Sequence, residues 1–249
     1  MNSLRLPLEH PPIVEAVVDI VCAMRPDFDL EATEAAARDA LRSNYPKMQQ
    51  RKILRYQVTD LGGASPSHSK AEGLEALVFR SDDERQMVQF RNAGYSFNRL
   101  APYTGLDDYL PEIERTWRLF ESIVRPVSIK AVKLRYINRI PLPLTDGNVE
   151  LEHYLAFGPQ SPDGSALASF LVKTLAIDHA TKARFTTTLA AQEPYGETLP
   201  VVLDIEAEAD LGPDEHEWSS IASHIAILRG VKNRVFDENL KPSCQTLFQ

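Results

Sequence analysis

Residues 127–140, VSIKAVKLRYINRI, constrain this chain more than any other stretch. Side chains alternate across a β-strand. Ile129, Ala131, Lys133, Arg135, Ile137 and Arg139 therefore share one face, and Ser128, Lys130, Val132, Leu134, Tyr136, Asn138 and Ile140 share the other. A face crowded with bases costs free energy unless water or acids meet it. The segment predicts a long strand with one basic face, and the Pro-Leu-Pro that follows is expected to end it.

Other stretches carry the same period. Residues 13–22, 51–60, 74–80 and 85–91 read as strands, with SDDE as the turn between the last two. LASFLVKTLAID, TKARFTTTLAAQ and VVLDIEAEAD have strand character, although LASFLVKTL also fits a helix. In the third, Val202, Asp204, Glu206 and Glu208 oppose Val201, Leu203, Ile205 and Ala207, as in an antiparallel sheet with one face in water. Residues 61–72 read as a loop, and SFNRLAPY reads as a turn carrying Arg99.

Three stretches switch to helical spacing. LEATEAAARDALRSNY follows Asp29, read as a helix cap or first-turn acid, and Pro46 is expected to prevent its continuation. In 107–125, Leu110, Ile113, Trp117, Phe120 and Val124 make a broad apolar stripe. A last helix is expected from about Asp214 to Glu238, with Trp218, Ile221, Ile225, Leu228, Lys232 and Val235 along one side. The predicted fold class is α+β, a curved antiparallel sheet with long amphipathic helices packed on one face. The order divides into related halves, 1–126 and 127–249, within one compact unit. Without regular βα alternation, a Rossmann fold or a TIM barrel is not expected.

Hydrophobic residues make up 43% and charged residues 25%, which suits a packed core. Acids outnumber bases 35 to 27, for a net charge of -8. That disfavours nucleic acid unless a local basic patch outweighs the average. Glu15 and Asp19 interrupt the first apolar run, so the start does not read as a signal peptide. No stretch approaches the roughly 18 apolar residues of a membrane span. The expected location is cytoplasmic, with Cys22 and Cys244 as reduced thiols.

Site chemistry is sparse. His216 and His224 lie eight residues apart on a predicted helix, roughly 12 Å, too far for one zinc ion. Asp178-His179 reads as a turn, and Ser219-Ser220 lacks a nucleophile elbow. Gly62-Gly63 fits neither phosphate-loop pattern. Asp204, Glu206 and Glu208 could hold a hard cation, but solvated acids on an open face are commoner. No cofactor or metal is expected. The bases of 127–140 have three readings: pairing with Glu15, Asp19 or Glu206, binding of a small anionic ligand, or binding of single-stranded nucleic acid. The candidate ligand-binding set is Arg99, Tyr103, Arg135, Asn138 and Arg139.

YSFNRLAPYTGLDDY at 95–109, KLRYINRI at 133–140 and HIAILRGVKNRVFDENL at 224–240 carry a resemblance. With PPIVEAVVDI at 11–20, they resemble an uncharacterised, sporadically distributed family of bacterial proteins of about this length. The resemblance spans nearly the whole chain in scattered blocks. It implies that Arg99, Pro102, Tyr103, Arg135, Tyr136, Asn138, Arg139, Lys232, Asn233 and Phe236 lie on family motifs. Leu106 departs from the large aromatic common there. The resemblance implies a shared fold and supplies no reaction.

The leading functional expectation is a non-catalytic protein that self-associates or serves a protein partner. It rests on long apolar elements without a site signature. The alternatives are a small-anion binder or enzyme with a pocket between sheet and helices, and a single-stranded nucleic-acid binder.

Overall fold

The computed structural model describes residues 8–59, 67–160, 165 and 167–249. The strands are β1 (Ile13–Ala23), β2 (Lys47–Thr59), β3 (Ser67–Arg80), β4 (Gln86–Arg91), β5 (Gly94–Leu100), β6 (Ser128–Pro143), β7 (Leu171–Ile177), β8 (Arg184–Ala191) and β9 (Thr198–Asp210). The α-helices are α1 (Glu34–Leu41), α2 (Leu106–Val124), α3 (Leu151–Tyr154), α4 (Trp218–Asn239) and α5 (Pro242–Gln245). Among the described residues the strands form one open antiparallel sheet in the order β2-β3-β4-β5-β1-β6-β9-β8-β7. The protein is thus α+β, and no helix among these residues is long and apolar enough to cross a membrane.

Several expectations shift. The loop expected at 61–72 falls partly at 61–66, outside the described residues, while 67–72 belongs to β3. That part pairs with β2, from Thr59↔Ser67 to Leu54↔Glu72. SFNRLAPY is no turn up to Leu100, because β5 continues through Arg99. The helix expected over 30–45 is shorter, a 3-10 turn at Glu31–Thr33 followed by α1, which ends at Leu41 ahead of Pro46, and β2 then starts at Lys47. Pro-Leu-Pro does not end β6, which runs to Pro143. Backbone direction explains this. The N–H groups of Val127 and Arg139 donate to Ala23 O and Pro12 O, so odd-numbered residues turn their backbone toward β1. Beyond Arg139, β1 has ended. Pro141 and Pro143 would point their missing donors into that vacated side.

The chain gathers into two compact units. One holds Asp19–Asn98 and Gly105–Lys130. Here α2 buries Ile113, Trp117, Phe120 and Val124 of the expected stripe, together with Leu106, Tyr109 and Thr116, while Leu110 stays half-buried. Phe120 stacks on Trp117 at 5.3 Å and meets Phe90 edge-on at 5.0 Å. Tyr95 packs on Trp117 at 5.7 Å and shares a 2.6 Å hydrogen bond with Thr116. Arg125 takes a left-handed conformation (φ 54°) and Pro126 follows, so α2 stops there. Gly94 has φ 138°, and a Cβ there would lie 2.0 Å from Ile20 O. Only glycine fits this close approach of backbone to backbone.

The other unit holds the residues up to Val18, Arg99–Thr104 and Ala131–Gln249. Val132, Leu134, Tyr136, Asn138, Ile140 and Leu142 of β6 are buried, as are Val201, Leu203, Ile205 and Ala207 of β9. The alternation read from both sequences therefore places their inner faces. α4 buries Ile221, Ile225, Leu228, Val231 and Val235 and packs against β9. It begins at Trp218, not Asp214. Glu215 accepts the Gly212 N–H at 2.7 Å, and Glu217 is still extended with ψ 147°.

Candidate functional site

The outer face of β6 is the place that the sequence marks, and β9 neutralises most of it. Arg135 donates through Nε and Nη2 to the two carboxylate oxygens of Asp204 at 2.9 and 2.6 Å. This paired geometry is the strong form of an arginine–carboxylate contact, and it pushes the Arg135 pKa up further. Lys133 lies 3.3 Å from Glu208 and 3.9 Å from Glu206. From β8, Arg184 reaches Glu208 at 3.2 Å and Asp210 at 2.8 Å. Asp204, Glu206 and Glu208 thus sit between bases rather than as an open acidic cluster.

Arg139 is different. It is exposed, faces Val202 across the register, and its side chain bonds to none of the described residues. Asn138 lies on the opposite, buried face of β6 and donates its amide to Leu203 O at 2.9 Å. Its role there is to satisfy a buried carbonyl. Tyr103 hydrogen-bonds Tyr136 at 2.6 Å, and Arg99 donates weakly to Pro102 O at 3.4 Å. Arg135 and Arg139 therefore share one face of β6, while Tyr136 and Asn138 occupy the other.

The remaining sequence candidates have local roles. Asp178 closes the β7–β8 turn by accepting the Thr181 N–H at 2.8 Å and its hydroxyl at 2.6 Å. Those bonds, with Arg234, hold its carboxyl below the usual carboxylate range. His224 Nδ1 lies 2.9 Å from Ser220 O, one turn back on α4. Both cysteines are buried, and burial pushes each thiol up to about 12. Neither is poised as a nucleophile.

Two features escaped the sequence reading. Lys232 places its Nζ 4.0 Å from the centroid of the Tyr136 ring. A basic residue on the apolar side of a predicted helix was the available signal. The second is β7, at the end of the strand order. Leu171, Leu175 and Ile177 are 71%, 71% and 59% exposed. No periodicity signals this, because an edge position is a property of the whole sheet.

A cavity of about 410 Å³ lies beside the segment leading into β7. Leu144, Val149, Leu151, Phe170 and Leu199 line it together with Asn148 and Ser169. None of the five expected ligand-binding residues contributes to it.

No protein-family model matches the chain, and no curated protein matches it.

Proposed function

We propose that this protein is a non-catalytic, self-associating one, and that two copies pair edge to edge through β7. The carrying observation is the high exposure of Leu171, Leu175 and Ile177 on a terminal strand. Natural sheets protect their edges with charges, prolines, bulges or covering segments. This edge has one charge in seven residues, LVKTLAI, and no proline.

Its geometry favours a second copy as the occupant. Phe170 O accepts from Ala191 N–H, and Asp178 N–H donates to Ala183 O, so even-numbered residues turn their backbone toward β8. The backbone groups of Leu171, Lys173, Leu175 and Ile177 consequently point away from the sheet. An antiparallel pairing centred on Thr174 sets Leu171 opposite Ile177 and Lys173 opposite Leu175. Every outward residue then meets an outward residue of the other copy in a hydrogen-bonded pair. Centring the pair on Lys173 would oppose two lysines and shorten the overlap. The seven residues span roughly 24 Å, which buries on the order of 1,000 Å² over both copies. That is the low end for a specific interface and corresponds to a weak, concentration-dependent dimer.

Sedimentation across a micromolar concentration series tests the proposal. The expected result is a monomer–dimer equilibrium that Leu175→Lys abolishes, since it sets lysines opposite each other. Lys173→Pro should act likewise, because it removes an outward N–H that the fold does not use. Neither change should lower the melting temperature much. Wild-type protein that stays monomeric at every concentration overturns the reading.

The small-anion alternative on β6 has thinner support, because Arg135 is bound to Asp204 and Lys133 lies between two acids. Arg139 remains as its strongest anchor. Membership of the bacterial family that the motifs resemble, and a cytoplasmic location, are parts of the same proposal. The family membership rests on those sequence blocks.

A further inference from the structure

Lys232 stands apart from every other base described above. It lies on α4 between the buried Val231 and Val235, one turn after the buried Leu228. Its Nζ is held 4.0 Å from the centroid of the Tyr136 ring. Tyr136 is itself 1% exposed and is fixed by Tyr103 in two ways. Their hydroxyls hydrogen-bond at 2.6 Å, and their rings meet edge-on at 5.5 Å. Among the described residues no carboxylate lies within ion-pairing distance of the amine, and no hydrogen bond holds it.

Burial without an acid partner penalises the charged form of a lysine. Here burial is the main cause, Arg229 adds to it, and Asp237 opposes both, leaving the pKa at about 8. Contact with an aromatic face favours the ammonium by roughly 0.5–2 kcal/mol, too little to cancel the burial. The side chain still keeps part of its surface in water. The combination is an amine held without an acid partner on a half-buried residue, with a free-base fraction near neutral pH well above that of an ordinary lysine.

We propose that Lys232 is a reactive-amine site that captures a small aldehyde as an imine. The Nζ lone pair attacks the carbonyl carbon, and the C=O π pair moves to oxygen. That oxygen takes a proton, and the nitrogen gives one to water. The carbinolamine then loses water as the C=N bond forms. No oxidant or reductant is consumed. The Tyr103–Tyr136 pair positions the amine by fixing the ring beneath it.

The test uses the intact protein, glyoxylate as the aldehyde and cyanoborohydride to trap the imine, followed by peptide mapping. The exposed Lys130 is the internal reference. At about pH 7 the Lys232 adduct should form roughly tenfold faster than the Lys130 adduct, with a rate that levels off above about pH 8. Lys232→Met should remove that fast adduct alone. Tyr103→Phe should move the pH midpoint of labelling, a readout that simple packing would leave in place. Labelling of Lys232 no faster than Lys130, or a midpoint near the ordinary lysine value, overturns the proposal. Either is what a lysine that merely covers Tyr136 would give.

Discussion

At the residue scale, the polar side chains of this protein are placed by their partners more than by their own preferences. Glu112 shows the balance. Burial pushes its carboxyl up, but Arg115 at 2.7 Å through two nitrogens and Tyr45 at 2.7 Å outweigh that and hold it below the ordinary glutamate range. Tyr45 follows α1 and Glu112 belongs to α2, so this cluster ties two helical segments. A carboxyl with a lowered folded pKa contributes stability above its unfolded pKa and loses it as pH falls through the folded value. Glu112→Gln should therefore cost about 1–2 kcal/mol at neutral pH, with the difference from wild type closing in acid. Urea denaturation at several pH values checks this, and a pH-independent difference would contradict it. Arg135→Met should also destabilise. It removes a two-point contact and leaves Asp204, already largely buried, without its base.

At the element scale, two glycines with positive φ separate backbone strain from steric contact. Gly94 (φ 138°) would place a Cβ on Ile20 O, whereas Gly147 (φ 76°) has nothing within 4 Å. Gly147→Ala should cost about 1 kcal/mol from strain alone. Gly94→Ala should cost about 3 kcal/mol or more, because strand backbone must move. Equal losses for the two in denaturant titration would refute that distinction. β6 shows why element ends are hard to read. Proline stops a strand only where a neighbour needs its N–H, and the ladder partner on that side of Pro141 has already ended. The loop expected at 67–72 failed for a related reason. Its Ser, His, Lys and Glu are polar, yet β2 supplies a continuous backbone partner that overrides composition.

At the scale of the whole molecule, charge decides what the protein avoids. The net charge is -8, and the bases of β6 and β8 are spent largely on the acids of β9. Single-stranded DNA and RNA should give flat binding curves by fluorescence anisotropy even at low salt. A rising curve that salt suppresses would restore the nucleic-acid reading through Arg139. The edge pairing through β7 should be nearly salt-independent, since it opposes apolar residues and one lysine against a leucine.

What the sequence by itself determined is what repeats locally. Alternation placed the inner faces of β6 and β9, helical spacing placed the α2 core around Trp117 and Phe120, and the acidic stripe of β9 and the basic stripe of β6 were each visible on their own. Each follows from backbone periodicity, which needs only neighbouring residues. The tertiary structure alone decided the rest. It set Asp204 against Arg135 and brought Lys232 over Tyr136 across a sequence separation that no period encodes. It also left β7 at the end of the sheet, with Leu171, Leu175 and Ile177, which resemble any half-buried strand in sequence, facing water. Strand order is a long-range property, and with it went the location of the surface on which the proposed association depends.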